Sequence, residues 1–535
     1  MKKILAALLA ALLLISAFAA CGEVAPSSSG TEKQEEAAEP EKEDEAAPAE
    51  EASSEGKTKI VIFRCLYNLS VVDDAQVKKV QDAINAALDA RGANVEIEIR
   101  EVASSEYSDK ASLALANQEI NLLWHASWWG GGIGCDDIWR NKGAYDVTDL
   151  LPGTTLWDAM PEGVWEASKY DGRILFIPVY KETYEGYDMK TTQYAVDATG
   201  HDATFPEVAA AEGSFNKIAA LGEYLEECKN AGIKYPHLST QFFYRYGLDY
   251  YDFFGGSSSL LAVNRETNEV ENAVTSDLYK EWCKLNGTWS DAGYIHEDCI
   301  AKAVPNGIAK TQDWGLQFWT NVPGDSKTNS EARDEQPEVM IEGITGWYTH
   351  STTTLGSCYS VTANSTEAEA KACIEWLGYL YTDEEIADLF TFGIEGEDYE
   401  LVAAKDAEEG APADRVKKTD SAKYNHAAWE STSVVPLTLL WDEPADKVEG
   451  YVKNNEAAQT SIAAGFRFDK TSVDAEWAAC SDLNSKYGEP LELGAFSADD
   501  VDATLEEYLQ ELDAAGYQAV FEEAKKQYEE WYAAK

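Results

Sequence analysis

Positive charge is scarce in this sequence. Its 535 residues include 43 lysines and arginines against 96 aspartates and glutamates, which gives a formal net charge of −53. Proteins that bind nucleic acid need clustered cations to neutralise phosphates, so this balance excludes a nucleic-acid partner. The acidity favours solubility and does not decide the fold.

The sequence also lacks the common catalytic and cofactor motifs. It contains no GxGxxG, Walker, HExxH or GxSxG pattern, and its six histidines are singly spaced. His296 and Cys299 in HEDC are interpreted as the start of a helix rather than as metal ligands. We therefore predict no cofactor, no metal site and no enzyme. Glycoside hydrolysis stays open because its two carboxylates need no fixed spacing in the chain.

Paired cysteine motifs are missing as well. None of the nine cysteines forms a CxxC, which excludes zinc-ribbon and thioredoxin-like sites. Cys228, Cys373 and Cys480 fall in predicted helices, where cysteine behaves as a small buried apolar residue. The even number beyond Cys21 also permits disulfides, so both states stay open. These eight residues are Cys65, Cys135, Cys228, Cys283, Cys299, Cys358, Cys373 and Cys480.

A long apolar run occurs only at the amino terminus. Lys2 and Lys3 precede ILAALLAALLLISAFAA, which ends directly before Cys21, so residues 1–20 are predicted to be a signal peptide. The junction resembles a bacterial lipobox, with Phe18 where leucine is usual, and Cys21 is the predicted lipidation site. An ordinary cleaved signal is the alternative. No later run reaches the roughly 18 residues that span a bilayer.

Residues 21–57 contain almost no large apolar side chain. Eleven acidic residues and two lysines fall within positions 31–56. Such a segment buries too little surface to offset its ordering entropy, and its charges repel one another. It is predicted to be a disordered tether between a lipid anchor on the outer face of the cell membrane and a folded domain.

Strands and helices alternate from residue 57 to residue 125. KTKIVIFRCLY (57–67), NVEIEIREV (94–102) and INLLWH (120–125) are typical of strands, and the segments between them have helical periodicity. This order predicts an α/β fold with a mostly parallel sheet. Ligands of such sheets lie beyond the carboxyl ends of the strands, which is where ASWWGGGIG begins.

Several segments resemble extracellular solute-binding lipoproteins of bacterial ABC importers, of the long sugar type whose C-terminal domain has no assigned function. The most specific are YTDEEIADLFTFGIEGEDYELV (381–402) and AAGFRFDKTSVDAEWAACSDLNSKYGEPLELG (463–494). INLLWH and YDGRILFIPVYKE add to the likeness, which extends over residues 58–535. The Trp-Trp-Gly-Gly-Gly loop departs from that subgroup.

The resemblance implies a two-lobe, periplasmic-binding-protein-like fold of type II with a helical C-terminal section. A solute would bind between the lobes, close them and pass to the permease subunits of the importer, and the protein would be a monomer. The expected lobes comprise residues 58–180 with about 347–395, and about 184–341 with about 396–535. The expected chain crossings are Val179–Tyr184, Ile341–Thr349 and Phe392–Gly396.

Sugars present apolar faces and hydroxyl edges, so their sites combine flat aromatic rings with hydrogen-bonding groups. Trp128 and Trp129 are the first candidates, because the glycines that follow shape the loop so that one indole faces the cleft and the other packs beneath it. The further candidates are aromatic or charged residues: Tyr180, Lys181, Glu182, Tyr184, Tyr244, Tyr246, Trp314, Trp347 and Tyr348.

The sequence thus predicts capture of a solute, most specifically an oligosaccharide. A peptide or other polar solute is the alternative within the same class. A surface-anchored glycoside hydrolase and an adhesin that binds polymer on an exposed face are alternatives from other classes. A receptor returns its ligand intact, an enzyme releases products, and an adhesin shows no closure of a cleft.

Overall fold

The computed structural model describes residues 56–67, 71–239, 242–255, 258–301, 308, 311, 313–320, 338–405 and 407–535. The predicted signal peptide, Cys21 and the tether up to residue 55 lie outside the described residues. Within the described ranges, no helix combines the length and the apolar character that crossing a membrane requires.

Within the residues that the structure describes, the strands form two larger sheets and three small ones. The described strands are β1 (Thr58–Leu66), β2 (Val95–Ala103), β3 (Leu122–His125), β4 (Ile177–Pro178), β5 (Tyr187–Thr192), β6 (Tyr235–Ser239), β7 (Tyr251–Phe253), β8 (Ala262–Asn264), β9 (Val270–Glu271), β10 (Trp314–Thr320), β11 (Glu338–Ile341), β12 (Tyr348–Thr349), β13 (Cys358–Val361), β14 (Tyr399–Val402), β15 (Arg415–Lys418) and β16 (Gln459–Thr460). The first larger sheet has the order β2-β1-β3-β13-β4, and the second has the order β11-β5-β10-β6.

The helices are unevenly distributed and become dense towards the carboxyl terminus. The described α-helices are α1 (Asp74–Ala90), α2 (Ser104–Ala116), α3 (Cys135–Arg140), α4 (Thr155–Asp158), α5 (Glu162–Ala167), α6 (Gln193–Thr199), α7 (Pro206–Ala210), α8 (Ser214–Ala220), α9 (Gly222–Asn230), α10 (Phe243–Tyr246), α11 (Asp277–Asp291), α12 (Glu297–Ile300), α13 (Ser351–Thr354), α14 (Glu367–Thr382), α15 (Glu384–Phe392), α16 (Ala428–Ser431), α17 (Lys447–Ala457), α18 (Asp474–Leu483), α19 (Glu489–Glu492), α20 (Val501–Ala514) and α21 (Tyr517–Ala534).

The first lobe is built on the sheet that the amino-terminal part of the chain begins. β1 pairs in parallel with β2 along its whole length, and β3 lies parallel to β1 on the other side. α1 covers this sheet with Val80, Ile84 and Leu88, which are all fully buried at the predicted helical spacing. The predicted strand–helix–strand–helix–strand order is therefore confirmed. β13 returns later in the chain and pairs antiparallel with β3.

The second lobe is built on the sheet of β11, β5, β10 and β6, where β10 runs antiparallel to β5 and parallel to β6. Its core includes Trp314 and Tyr279 and extends into the C-terminal section through Tyr487, Tyr508 and Tyr517. The expected helical C-terminal section is present and ends in α20 and α21. Gly516, with φ +91°, ends the turn between them. The C-terminal section therefore completes the core of the second lobe.

Three chain segments meet where the chain passes between the two sheets. The amide nitrogen of Glu185 donates to the carbonyl oxygen of Tyr348 at 2.8 Å. β12 pairs in parallel with β16, and the Gln459 amide donates to the Trp347 carbonyl at 2.8 Å. We call these three segments (183–187, 345–349 and 459–461) the hinge. The segments expected near Val179–Tyr184 and Ile341–Thr349 run from one sheet to the other.

The third expected crossing, at Phe392–Gly396, is wrong. The chain stays on the first lobe after this point, because Arg64 of β1 donates to the Tyr424 hydroxyl at 3.0 Å and to the Ser431 hydroxyl at 2.9 Å. Gly393 and Gly396 have φ of +92° and +81° and form a turn within the lobe. After residue 396 the chain next leaves the first lobe at α17 and β16. The expected boundary at residue 396 therefore moves to about residue 447.

Candidate functional site

Two tryptophans follow β3 at the carboxyl end of the first sheet. Trp128 stacks on Trp129, with ring centroids 5.1 Å apart and planes inclined by 26°. Trp128 is 55% exposed, and its indole N–H donates to the Gly356 carbonyl oxygen at 2.7 Å. Trp129 is partly buried, and its N–H donates to the Ser108 hydroxyl at 2.7 Å. One outward indole thus rests on a second one beneath it.

Two further rings extend this pair into a surface that we call the aromatic platform, defined as Tyr67, Trp128, Trp129 and Trp429. Tyr67 directly follows β1, is 46% exposed, and meets Trp429 edge-on at 5.3 Å and Trp129 at 6.2 Å. Trp429 lies 6.3 Å from Trp128. Sequence reasoning missed both residues. Tyr67 could have been found, because it follows a strand of the same sheet, whereas Trp429 comes from α16, about 300 residues further along the chain.

Glycine is required where the tryptophan loop meets α2. Gly131 has φ +73°, and a Cβ atom at this position would lie 2.7 Å from the Cβ of Ser108. A Cβ atom at Gly134 would lie 2.5 Å from the Trp129 carbonyl oxygen. The loop backbone therefore packs closely against the helix and against itself, which leaves room for the Trp128 ring on the outer side.

A buried charge network attaches α16, and with it Trp429, to the first sheet. His426 Nε2 lies 2.8 Å from Glu101 Oε1, and both side chains are fully enclosed beside Arg64. Burial alone would raise the pKa of Glu101, but His426 and Arg64 hold it below its ordinary value. Charge-assisted hydrogen bonds of this kind are stronger than neutral ones, so the position of Trp429 is fixed by β1 and β2.

A cavity of about 480 Å³ adjoins the aromatic platform. Lys181, Glu182, Lys447 and Tyr451 line it together with Trp429, which therefore belongs to both surfaces. Sites for small ligands typically measure about 300–1,000 Å³ and combine apolar walls with a few polar groups. The cavity has this composition, because Val434, Leu437 and Leu440 also line it.

The residues predicted beside the first crossing are divided between cavity and core. Lys181 and Glu182 form an ion pair and line the cavity. Tyr180 is 4% exposed and belongs to the first core. The buried hydroxyl of Tyr184 accepts a hydrogen bond from Asn454 of α17 at 3.0 Å. The structure thus brings the charged pair to the cavity and gives both tyrosines packing roles.

Three of the predicted aromatic residues lie in the interior of the second lobe. Trp314 is 0% exposed in its core. The hydroxyl of Tyr246 donates to the sulfur of Met189 at 3.2 Å. The Tyr348 hydroxyl donates to Asp249 at 3.1 Å. None of these three rings offers a free face to a solute, so we do not retain them as ligand contacts.

Trp347 and Tyr244 keep part of their surface accessible. Trp347 packs on Tyr184 at 5.5 Å within the hinge, and Gly186 is needed there because a Cβ atom would lie 2.5 Å from the Trp347 ring. Tyr244 stacks on Phe242 at 5.7 Å in the second lobe. These two residues stay predicted contacts for a solute held between the lobes.

Comparison with known proteins identifies the fold. NgtS, the N-glycan transport solute binding protein of Streptococcus pneumoniae, aligns with 18% identity and a TM-score of 0.71 over 89% of this chain and 99% of that one. Its complex with Man5GlcNAc aligns with 20% identity and a TM-score of 0.63 over 90% and 99%. An HMO-binding, ABC-transporter-associated solute-binding protein of Bifidobacterium longum infantis aligns with 14% identity and a TM-score of 0.56 over 89% and 100%.

The chain has the fold of a solute-binding protein. The predicted two-lobe α/β class is therefore confirmed. No curated protein matches the sequence. Residues 462–533 match a family described as a domain of unknown function, DUF3502. In this solute-binding-protein fold the matched segment supplies α18 to α21, which pack on the second lobe.

The fold also assembles three side chains that are far apart in the sequence. His125, Cys135 and Cys358 place a ligand atom each within 4.8 Å of one another, and all three are buried. The prediction of no metal site rested on spacing along the chain, which carries no signal for this group. By contrast, the helix-start interpretation of HEDC is confirmed, because the His296 ring accepts from the Asp298 amide at the start of α12.

Proposed function

We propose that this protein is a solute-binding receptor of a bacterial ABC importer and that it captures an oligosaccharide between its two lobes. The aromatic platform carries the proposal. A sugar ring stacks its apolar C–H face on an aromatic ring, and Trp128 offers a half-exposed indole whose N–H is already satisfied. The ring is therefore available for stacking without a loss of its own hydrogen bond.

The polar half of the proposed site comes from the adjoining cavity. Lys181, Glu182 and Lys447 supply charged donors and acceptors beside Trp429. Hydroxyl groups of a sugar bind such groups at their edges while the ring faces stack. The relatives whose structures match include proteins named for N-glycan and HMO binding, which supports an oligosaccharide over a peptide.

The remaining parts of the proposal concern the location and the partners of the receptor. We infer that Cys21 is lipidated after cleavage of residues 1–20, so that the acidic tether holds the receptor on the outer face of the cell membrane. The closed receptor would deliver its solute to the permease subunits as a monomer. Release of the sugar unchanged distinguishes this function from glycoside hydrolysis.

Calorimetry of the full chain with N-glycan and milk-type oligosaccharides tests the proposal, with each sugar recovered afterwards for mass analysis. We expect one class of sugar to bind and to be recovered intact. Trp128→Ala should weaken binding at least about tenfold, which corresponds to about 1.4 kcal/mol. It should change the free energy of unfolding by less than about 1 kcal/mol, because the ring is half exposed.

Trp157→Ala is the matched control, because Trp157 is a partly buried tryptophan of the same lobe that stacks on Trp165 at 5.3 Å outside the platform. It should leave the affinity unchanged. Recovery of cleaved sugars would show that the protein is an enzyme and would contradict the receptor function. Binding of peptides alone would preserve an importer function and overturn the role of the platform.

A further inference from the structure

The first lobe encloses a cluster of two thiols and one imidazole at the base of the tryptophan loop. The sulfur atoms of Cys135 and Cys358 are 3.7 Å apart. Nδ1 of His125 lies 3.8 Å from the Cys135 sulfur and 3.7 Å from the Cys358 sulfur. All three side chains are 0% exposed. Three potential ligand atoms thus form a nearly equilateral triangle inside the core.

These distances match the edges of a metal coordination tetrahedron. Zinc–sulfur bonds measure about 2.3 Å and zinc–nitrogen bonds about 2.0–2.1 Å, so tetrahedral angles separate two sulfurs by about 3.8 Å and a sulfur from a nitrogen by about 3.6 Å. The sulfurs of a disulfide are about 2.05 Å apart, which is much shorter than the 3.7 Å between the sulfurs of Cys135 and Cys358. The geometry therefore favours coordination over a bridge.

A neighbouring hydroxyl orients the imidazole for this role. Nε2 of His125 lies 2.6 Å from the Ser360 hydroxyl. When Nε2 carries the ring proton and donates it to Ser360, Nδ1 is left as an unprotonated acceptor within 3.8 Å of both sulfurs, and the Cys358 sulfur is also 3.6 Å from Nε2. Histidines that bind metals use their second ring nitrogen in this way, which fixes the tautomer and the ring position.

We propose that His125, Cys135 and Cys358 bind a soft cation, Zn²⁺ or Cu⁺, through one imidazole nitrogen and two thiolates. Thiolate-rich sites select these ions over hard cations. Binding converts two thiols to thiolates, releases their two protons to solvent and transfers no electron. Because the ligands are fully buried, the ion enters while the chain folds and stays enclosed afterwards.

The site would join the ends of the tryptophan loop to the strand that leaves the hinge. His125 ends β3, Cys135 begins α3, and the loop that carries Trp128 runs between them. Cys358 begins β13, two residues after the Gly356 carbonyl that binds the Trp128 indole. An ion at this point would hold in place both ends of the tryptophan loop and the Gly356 carbonyl that binds the Trp128 indole. The effect of this on sugar binding is the one consequence that rests on the proposed function.

The test is the metal content of the full chain, purified without chelators from cells grown with added zinc or with added copper. We expect about one equivalent of the preferred ion per chain, with X-ray absorption showing sulfur and nitrogen neighbours. Cys135→Ala and Cys358→Ala should each reduce the content to background. The growth condition that gives the fuller occupancy identifies the ion.

Cys373→Ala is the matched control, because Cys373 is equally buried in the same core and its sulfur lies near only the Asn121 carbonyl oxygen among the hydrogen-bonding partners described. It should keep the ion. If the Cys135 variant does not fold, His125→Gln provides the same readout with both thiols in place. Wild-type protein without bound metal would overturn the proposal. So would a chain that is lighter by two hydrogens and shows two fewer thiols after denaturation, because it would contain a Cys135–Cys358 disulfide.

Discussion

Glu492 is a carboxyl group enclosed where the C-terminal section meets the second lobe. It is 2% exposed and accepts hydrogen bonds from the Phe243 amide at 2.7 Å and the Ser259 hydroxyl at 3.1 Å. Burial raises its pKa to about 7, although these hydrogen bonds oppose the shift. A single residue therefore couples the stability of this junction to pH.

The sign of this coupling follows from the proton count. Between about pH 4.5 and about pH 7 the native state keeps the proton of Glu492 and the unfolded state releases it, so stability falls as the pH rises through this window. Glu492→Gln removes the titration. We expect this variant to match the wild type near pH 4.5 and to be more stable at pH 8 by on the order of 3 kcal/mol.

Urea unfolding at a series of pH values measures this difference. Glu506→Gln serves as the control, because Glu506 is exposed on α20 and its replacement removes one charge without changing a buried group. For the control, the plot of the free energy of unfolding against pH should run parallel to that of the wild type. A parallel curve for Glu492→Gln as well would show that the carboxyl of Glu492 does not carry the proton in the native state.

Single residues also show how far the sequence could predict the site. The location of Trp128 and Trp129 at the carboxyl end of the first sheet was predictable, because they follow a buried strand in a parallel sheet and precede glycines. Trp314 is also a tryptophan, but it lies within a strand instead of after one, and it belongs to the core of the second lobe. Trp429 depends on the contact of α16 with Arg64, which only the folded chain provides.

At the scale of elements, α17 is fastened to the first crossing by two adjacent asparagines. Asn455 accepts from the Thr183 amide and donates to the Lys181 carbonyl, both at 2.9 Å. Asn454 donates to the Tyr184 hydroxyl at 3.0 Å. The third connection between the lobes is thereby joined to the first. This pairing had no signal in sequence, because the partners are about 270 residues apart.

The two asparagines should respond differently to the same substitution. Asn455→Asp places a carboxylate oxygen against the Lys181 carbonyl oxygen. Neither oxygen can donate a hydrogen bond, so we expect a loss of about 1–3 kcal/mol in the free energy of unfolding. Asn454→Asp should cost much less, because the Tyr184 hydroxyl can turn and donate to the new carboxylate. Thermal and urea unfolding of both variants compare the two effects, and equal losses would contradict the proposed attachment.

At the scale of the whole molecule, three of the described chain segments connect two separately packed cores. Each core has its own sheet, and the hinge holds few backbone hydrogen bonds compared with either sheet. Small changes of backbone angle in such short connections can move packed bodies as units. A solute that contacts both lobes favours the closed arrangement by its extra contacts there, and a solute held by one lobe does not.

Small-angle scattering of the full chain with and without its oligosaccharide tests this motion. We expect a smaller radius of gyration with saturating sugar, because residues of the second lobe such as Tyr244 would then reach a sugar stacked on Trp128. Tyr244→Ala should still bind the sugar, more weakly, and should close less at equal saturation, since only its contact across the cleft is lost. Tyr532→Ala, which removes another tyrosine of the same lobe that is 45% exposed on α21, should close like the wild type. Bound sugar with an unchanged radius of gyration would place the site on the first lobe alone and leave the hinge without a role in capture.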